Sequence, residues 1–413
     1  SYFFVKTVCQ NVFSWRFRYQ VNNMNNPETT KKKDQYKGFE QGPIRPPSEA
    51  NSLLIRLTRN CPWNNCTFCR VYTNRKFSLR SVDNIIRDID ILHLYIKGIR
   101  QSVDPGARFD STTLNSIYNT FQEKDRVAFN AAVNWYFTGM KSVFFQDANS
   151  LIMKPDDITK VLLHLKKCFP WVERITSYAR SHTIARISDE DLKRMADAGL
   201  NRIHIGMETG SDKVLKKVRK GVSKAVHIKA GLKVKKAGIE LSEYVMPGLG
   251  GIEYSAEHAL ETASALNSIN PEFIRIRTLA VTKGTKLADQ AARGEFERPT
   301  DIMMAKELRL FLEALDGIDS YIKSDHILNL FETIDGKLPQ DKENLIGIID
   351  RFFELSPQNQ VMYQVGRRMG FFRGPEDMVN SPYLDQVQQA CQNYGITPDN
   401  VDSVIQELMN RFV

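Results

Sequence analysis

With 413 residues, 42% of them hydrophobic and 25% charged, the chain has an ordinary soluble composition and the length for two or three structural units, or one α/β barrel with additions. No apolar run reaches the roughly 18 residues of a membrane-spanning helix, and six cysteines, three clustered and Cys9, Cys168 and Cys391 scattered, exclude a disulfide framework and point to a reducing cytoplasm. The net charge of +9, from 57 basic and 48 acidic residues, favours anionic partners such as nucleic acid or phosphorylated metabolites, although most such charges solvate helix faces.

Residues 1–48 read as an irregular lead-in. The first residues are apolar, but Trp15-Arg16-Phe17-Arg18 interrupts them and no small-residue cleavage site follows, so no signal peptide is expected. Lys31-Lys32-Lys33 lies in a polar stretch and reads as an arm rather than a binding groove. Pro43, Pro46 and Pro47 keep the chain extended up to Ser52–Thr58, which alternates and branches as a buried strand should. That strand delivers Cys61-Pro62-Trp63-Asn64-Asn65-Cys66-Thr67-Phe68-Cys69, three thiols within nine residues.

Thiolates this close are better placed to share a metal than to pair with one another. A structural zinc site wants four protein ligands, and no further Cys or His follows before His93, inside a helical pattern. An iron-sulfur cube on three thiolates leaves one iron open for a substrate or cofactor. The missing fourth ligand therefore favours an open-site [4Fe-4S] cluster, with structural zinc and a redox disulfide as alternatives.

A capped helix is expected from Ser81 to about Lys97, then an insertion or lid at about 98–128 containing Pro105-Gly106, with another helix at about Asp125 to Thr138. The second strand is Ser142–Gln146, ending in Asp147, and the third is Arg174–Ala179, followed by Arg180 and a capping box at Ser188. Arg202–Glu208 is the fourth, Ile239–Met246 the fifth, turning at Pro247-Gly248-Leu249-Gly250-Gly251, and Phe273–Leu279 the sixth. Helical patterns between them imply βαβ units with right-handed crossovers, hence an α/β partial (β/α)6 TIM-like barrel over 49–295. In such a fold the working residues stand at the carboxyl ends of the strands, where the cysteine loop falls. Residues 296–413 read as a helical C-terminal domain. There Ser324-Asp325-His326 is a polar cluster that could face the site, while His204 reads as a core histidine.

Cys61, Cys66 and Cys69, with Phe68 just before the last thiol, resemble the cluster loop of the radical S-adenosylmethionine (SAM) superfamily, most nearly the branch with coproporphyrinogen dehydrogenase, Elp3 and MiaB-like proteins. The usual loop has three residues between the first two cysteines. This one has four, Pro62 to Asn65, an extra residue that can bulge outward. The strand order over 49–295 also resembles the family's partial barrel.

The resemblance implies a [4Fe-4S] cluster on Cys61, Cys66 and Cys69 whose open iron chelates the methionine part of SAM. A one-electron donor such as flavodoxin or ferredoxin would then trigger cleavage to a 5′-deoxyadenosyl radical, which abstracts a hydrogen atom from an unidentified substrate. It also implies SAM contacts. Phe68 would lie against adenine, Gln146 and Asp147 near the methionine ammonium, where the family's glycines are missing, and Arg180 beside Tyr178 on the carboxylate. Glu208 would hold the ribose hydroxyls, Gly248 would lie near adenine, and Leu279 would stand in the cofactor-lining end of the last strand. Each has a structural alternative: loop packing for Phe68, loop ordering for Asp147, a surface ion pair for Arg180, a plain turn at Gly248. The substrate is expected to be a small molecule ahead of RNA. RNA modification is the alternative within the enzyme class, and an iron-sulfur or zinc protein without SAM chemistry the alternative outside it.

Overall fold

The computed structural model describes residues 34–102 and 111–409. Most of the lead-in, with Cys9 and Lys31 to Lys33, and Pro105-Gly106 lie outside the described residues.

The strands are β1 (Leu53–Arg56), β2 (Thr58–Arg59), β3 (Ser78–Leu79), β4 (Ser142–Gln146), β5 (Arg174–Ala179), β6 (Arg202–Glu208), β7 (Glu240–Val245), β8 (Phe273–Ile276), β9 (Tyr321–Lys323) and β10 (Asp335–Lys337). One eight-stranded sheet runs in the order β1-β4-β5-β6-β7-β8-β9-β10. All its pairs are parallel except the last, where β10 returns antiparallel to β9. Strands that neighbour in space in the order in which they occur in the chain, with helical crossovers between them, give the partial TIM-like barrel.

Alternation along each strand separates two faces. Leu53, Ile55, Val143, Phe145, Ile175, Ile203, Ile205, Leu241 and Ile274 join the main apolar core, with residues from helices Val82–Ser102, Arg126–Phe137, Pro155–Cys168, Lys224–Lys236 and Ser255–Ile269. The opposite face, the barrel interior, carries Phe144, Thr176, Tyr178, His204, Ser242, Tyr244 and Arg275. Register sets these side by side, with Tyr178 opposite His204, His204 opposite Ser242, and Tyr244 opposite Arg275. The interior is thus aromatic and polar rather than filled with aliphatic side chains.

Several helices start as their sequences demand. Ser188, Ser211, Ser223, Thr285 and Thr300 each accept a hydrogen bond from the backbone N–H three residues on, satisfying a donor the helix cannot.

Two expectations are corrected. The stretch at about 98–128, expected only as an insertion or lid with no helix of its own before Asp125, holds the helix Ser111–Thr120 in its described part. Its Ser, Thr and Asn residues have weak helix propensity, and burial of Ile117 and Tyr118 decides instead. The Tyr118 ring lies 5.0 Å from Phe129, and Tyr95 lies 4.8 Å from Phe121. The part beyond residue 296 is not wholly helical either, because β9 and β10 extend the barrel sheet. Strands of three residues are too short to show alternation. No helix among the described residues is long and apolar enough to cross a membrane.

Candidate active site

β1 ends at Arg56, and the chain leaves the sheet through β2, which pairs antiparallel with β3. This short ladder closes the base of the excursion 60–77. Asp147, at the end of β4, ties it down. Its Oδ2 accepts from the Arg56 Nε at 2.8 Å and from the Asn60 backbone N–H at 2.9 Å, and its Oδ1 accepts from the Tyr72 hydroxyl at 3.0 Å. Further along, the Thr67 N–H donates to the Val218 carbonyl at 3.0 Å and the Leu287 N–H to the Thr67 carbonyl at 2.9 Å. Trp63 Nε1 donates to the Arg219 carbonyl at 2.7 Å. The loop is therefore held from both sides of the barrel mouth.

The extra residue between Cys61 and Cys66 is absorbed where Asn64 adopts φ +44°, a left-handed conformation that Asn tolerates. Its side chain donates to the Arg75 carbonyl at 3.0 Å. The departure from the usual spacing is a local turn, pinned within the loop.

Cys61, Cys66 and Cys69 are all half-buried. Burial pushes the Cys66 thiol up, against the pull of the Lys220 and Arg180 cations, with the other two thiols adding to the rise. Burial likewise raises Cys69, although the Tyr72 and Val71 backbone N–H groups oppose it. Three such thiolates concentrate negative charge, and the two cations stand where that charge gathers. Arg180 donates to the Lys220 carbonyl at 2.6 Å and lies 5.0 Å from the Trp63 ring. Burial would lower the Lys220 ammonium, yet Glu208 and Cys66 outweigh it and hold its pKa above the ordinary lysine value.

Glu208 ends β6 at a bulge, with φ +67°, and its Oε1 accepts from Lys220 Nζ at 2.9 Å, both side chains about one-eighth exposed. Phe68 has Lys220 Nζ at 5.7 Å from its ring centroid and packs against the second apolar cluster of Val214, Val218, Met246, Leu249, Leu279, Leu287 and Phe296. Leu279 is thus part of the wall beneath the loop, held by its N–H to the Pro247 carbonyl at 3.0 Å. Gly248 donates its N–H to Glu307 Oε1 at 2.7 Å.

Tyr178 lies deeper, its ring 5.1 Å from Phe144 and 5.5 Å from His204. Burial raises its hydroxyl pKa well above the tyrosine value, so it stays protonated. Gln146 turns the other way: its Oε1 accepts from the Gly42 N–H at 2.7 Å and its Nε2 donates to the Ile44 carbonyl at 2.5 Å. The structure thus gathers Phe68, Arg180, Glu208 and Leu279 around the thiol loop. Gln146 and Asp147 are engaged with the lead-in and the loop backbone. His204 forms the interior's floor, with Nε2 3.3 Å from Glu49. From the C-terminal part, Asp325 reaches in to Arg275 at 2.8 Å.

Sequence reading missed Lys220, Trp63, Arg56 and Glu243. Lys220 sits in a run of surface-like lysines, and only the following Gly221 hints at a tight approach. Glu243 is fully buried on β7; burial first and the Glu208 charge second hold its carboxyl well above the usual carboxylate range.

The donor set suits a cluster better than a single ion. Among the described residues the Cys, His, Asp and Glu atoms that converge within 4.8 Å of one another are those of Asp90, His164 and Cys168. The loop thiols are spaced more widely, whereas a tetrahedral zinc would hold two sulfurs about 3.8 Å apart. Three thiols, two nearby cations and an apolar wall fit a [4Fe-4S] cluster with one open iron.

Residues 120–263 match the family model described as the Radical SAM superfamily, a span that begins after the cysteine loop. Two tRNA uridine(34) acetyltransferases are similar over a short stretch. That of Methanocaldococcus infernus is 27% identical over 27% of this chain and 21% of its own length, and that of Methanocaldococcus jannaschii 24% identical over 26% and 20%. The chain thus spans about a fifth of the length of these curated relatives. Among solved structures, Methanocaldococcus infernus Elp3 with an N-terminal deletion aligns with a TM-score of 0.41 at 16% identity, covering 55% of this chain and 58% of that one. Methylornithine synthase (PylB) aligns at 0.39 and 16%, covering 67% of each. Coproporphyrinogen III oxidase (HemN) from Escherichia coli aligns at 0.40 and 13%, covering 63% and 52%. The thiol loop thus stands at the mouth of a partial barrel whose strands β4 to β7 fall within the stretch that matches the radical SAM superfamily, whose enzymes use a [4Fe-4S] cluster and SAM.

Proposed function

We propose that this chain is an enzyme that cleaves SAM reductively and abstracts a hydrogen atom from its substrate. The carrying observation is the placement of three half-buried thiols at the carboxyl ends of parallel strands, beside Arg180 and Lys220 and above the apolar wall that includes Phe68 and Leu279. Cys61, Cys66 and Cys69 would hold the [4Fe-4S] cluster, which with SAM supplies one-electron cleavage to a 5′-deoxyadenosyl radical.

The chain's own residues position and shield. Arg180 offers a guanidinium for the SAM carboxylate, and Glu208, fixed by Lys220, offers its second oxygen to the ribose hydroxyls. Phe68, Leu279 and the turn at Gly248 form the adenine side and exclude water. Asp147 acts at one remove by holding the loop, and Gln146 by fixing the lead-in. Tyr178 bounds the interior where a substrate would enter. A flavodoxin- or ferredoxin-like protein would deliver the electron.

Anaerobic reconstitution with iron and sulfide, reduction and addition of SAM should yield 5′-deoxyadenosine with the parent and none with Cys66→Ala. Zinc in place of a cluster, with SAM intact, would reject the assignment. A second reading, RNA as substrate, is favoured by the tRNA-modifying relatives and the net charge of +9. It requires tRNA binding that weakens steeply with salt. Absence of binding at low salt would leave the small-molecule substrate.

A further inference from the structure

On the outer helical layer, Asp90 of helix Val82–Ser102 meets His164 and Cys168 of helix Pro155–Cys168. His164 and Cys168 are four positions apart, so they project from one helix face. His164 Nε2 lies 2.7 Å from Asp90 Oδ1 and 3.6 Å from Cys168 Sγ. We propose that Asp90, His164 and Cys168 form a zinc-class divalent metal site, separate from the loop thiols, with water in the fourth position.

The hydrogen bonding around that nitrogen points there. Nε2 has both a carboxylate and a thiol within reach, but one ring nitrogen either donates or accepts. If it donates to Asp90, Cys168 is left without its acceptor; if it accepts from Cys168, the carboxylate loses its donor. A cation between the three satisfies all of them at once. The spacing of His164 and Cys168 agrees, since zinc with sulfur at about 2.3 Å and nitrogen at about 2.0 Å sets those atoms about 3.5 Å apart; Asp90, hydrogen-bonded to His164 at 2.7 Å, would move out by about half an ångström to take its place as an oxygen ligand. The nitrogen, sulfur and oxygen donors together suit zinc.

Exposure is graded in the right direction. Cys168 is 8% exposed, and the His164 and Asp90 side chains are 25% and 56% exposed, so the thiolate lies inside and the open position faces water. Zinc takes the sulfur as thiolate, so binding releases the thiol proton to solvent and metal affinity rises with pH. The bound ion would staple two helices that pack on the sheet.

The test is metal content of the full-length protein carrying its reconstituted cluster, exposed to Zn2+ and desalted. The parent should retain about one zinc per chain beside its iron. Cys168→Ser and His164→Ala should each lose that zinc with iron unchanged, and Zn2+ should raise the melting temperature of the parent but of neither variant. His164 is partly exposed, so its truncation leaves the fold intact. In a Cys61→Ala, Cys66→Ala, Cys69→Ala background, Co2+ should give a thiolate charge-transfer band that Cys168→Ser removes. A parent that keeps no zinc, or zinc that persists in both single variants, would overturn the site.

Discussion

Lys220 and Glu208 show how a single pair fixes the geometry of the mouth. Both are largely buried, so removing one partner strands a charge. Lys220→Met should cost on the order of 3 kcal/mol, read as a lower denaturation midpoint, and Lys220→Met with Glu208→Gln should recover most of the loss. An unchanged midpoint in the single variant would show that the pair is not held in the fold. Gly221 makes a second case: at φ +70°, an added Cβ would lie 2.2 Å from the Trp63 ring. Gly221→Ala should displace Trp63, shift its fluorescence and reduce bound iron. Glu208 was legible in the sequence because a carboxylate ending an apolar strand demands a buried partner. Lys220 was not, because its neighbours Lys216, Lys217 and Arg219 give it the look of a solvated face.

At the scale of elements, the thiol loop depends on one carboxylate at the end of another strand. Asp147→Ala removes the partners of Arg56, the Asn60 N–H and Tyr72 together. Amide exchange over 60–77 should speed up and iron occupancy fall, while β4 stays protected; equal protection in parent and variant would assign the loop's order to other contacts. The strands β4, β5 and β6 were readable to the residue because each is a buried run with clear turns at both ends. The helix Ser111–Thr120 and the three-residue strands escaped, since tertiary packing rather than local pattern makes them. The loop's role for Asp147 was one of two open readings, and only its three partners reveal how fully it is engaged.

Across the whole molecule, burial of neutral histidine couples stability to pH. His227 is fully buried, and burial, then the Lys220 and Arg180 cations, push its pKa down to about 3. The unfolded chain takes up a proton near 6.5 that the fold refuses, so this contribution is complete above pH 6.5 and is lost as pH falls towards 3, by about 1.4 kcal/mol per unit. The denaturation midpoint should drop between pH 7 and 5, and His227→Gln should flatten that slope. An identical slope would place the proton uptake elsewhere. The sheet's strand order has a longer-range consequence. The loop that would carry the cofactor hangs from β1, at one end, and β9 and β10 lie at the other, where Asp325 sends a carboxylate back to Arg275. Side chains at the β10 edge can therefore change without disturbing the strand from which the thiol loop hangs, since the full width of the sheet lies between them.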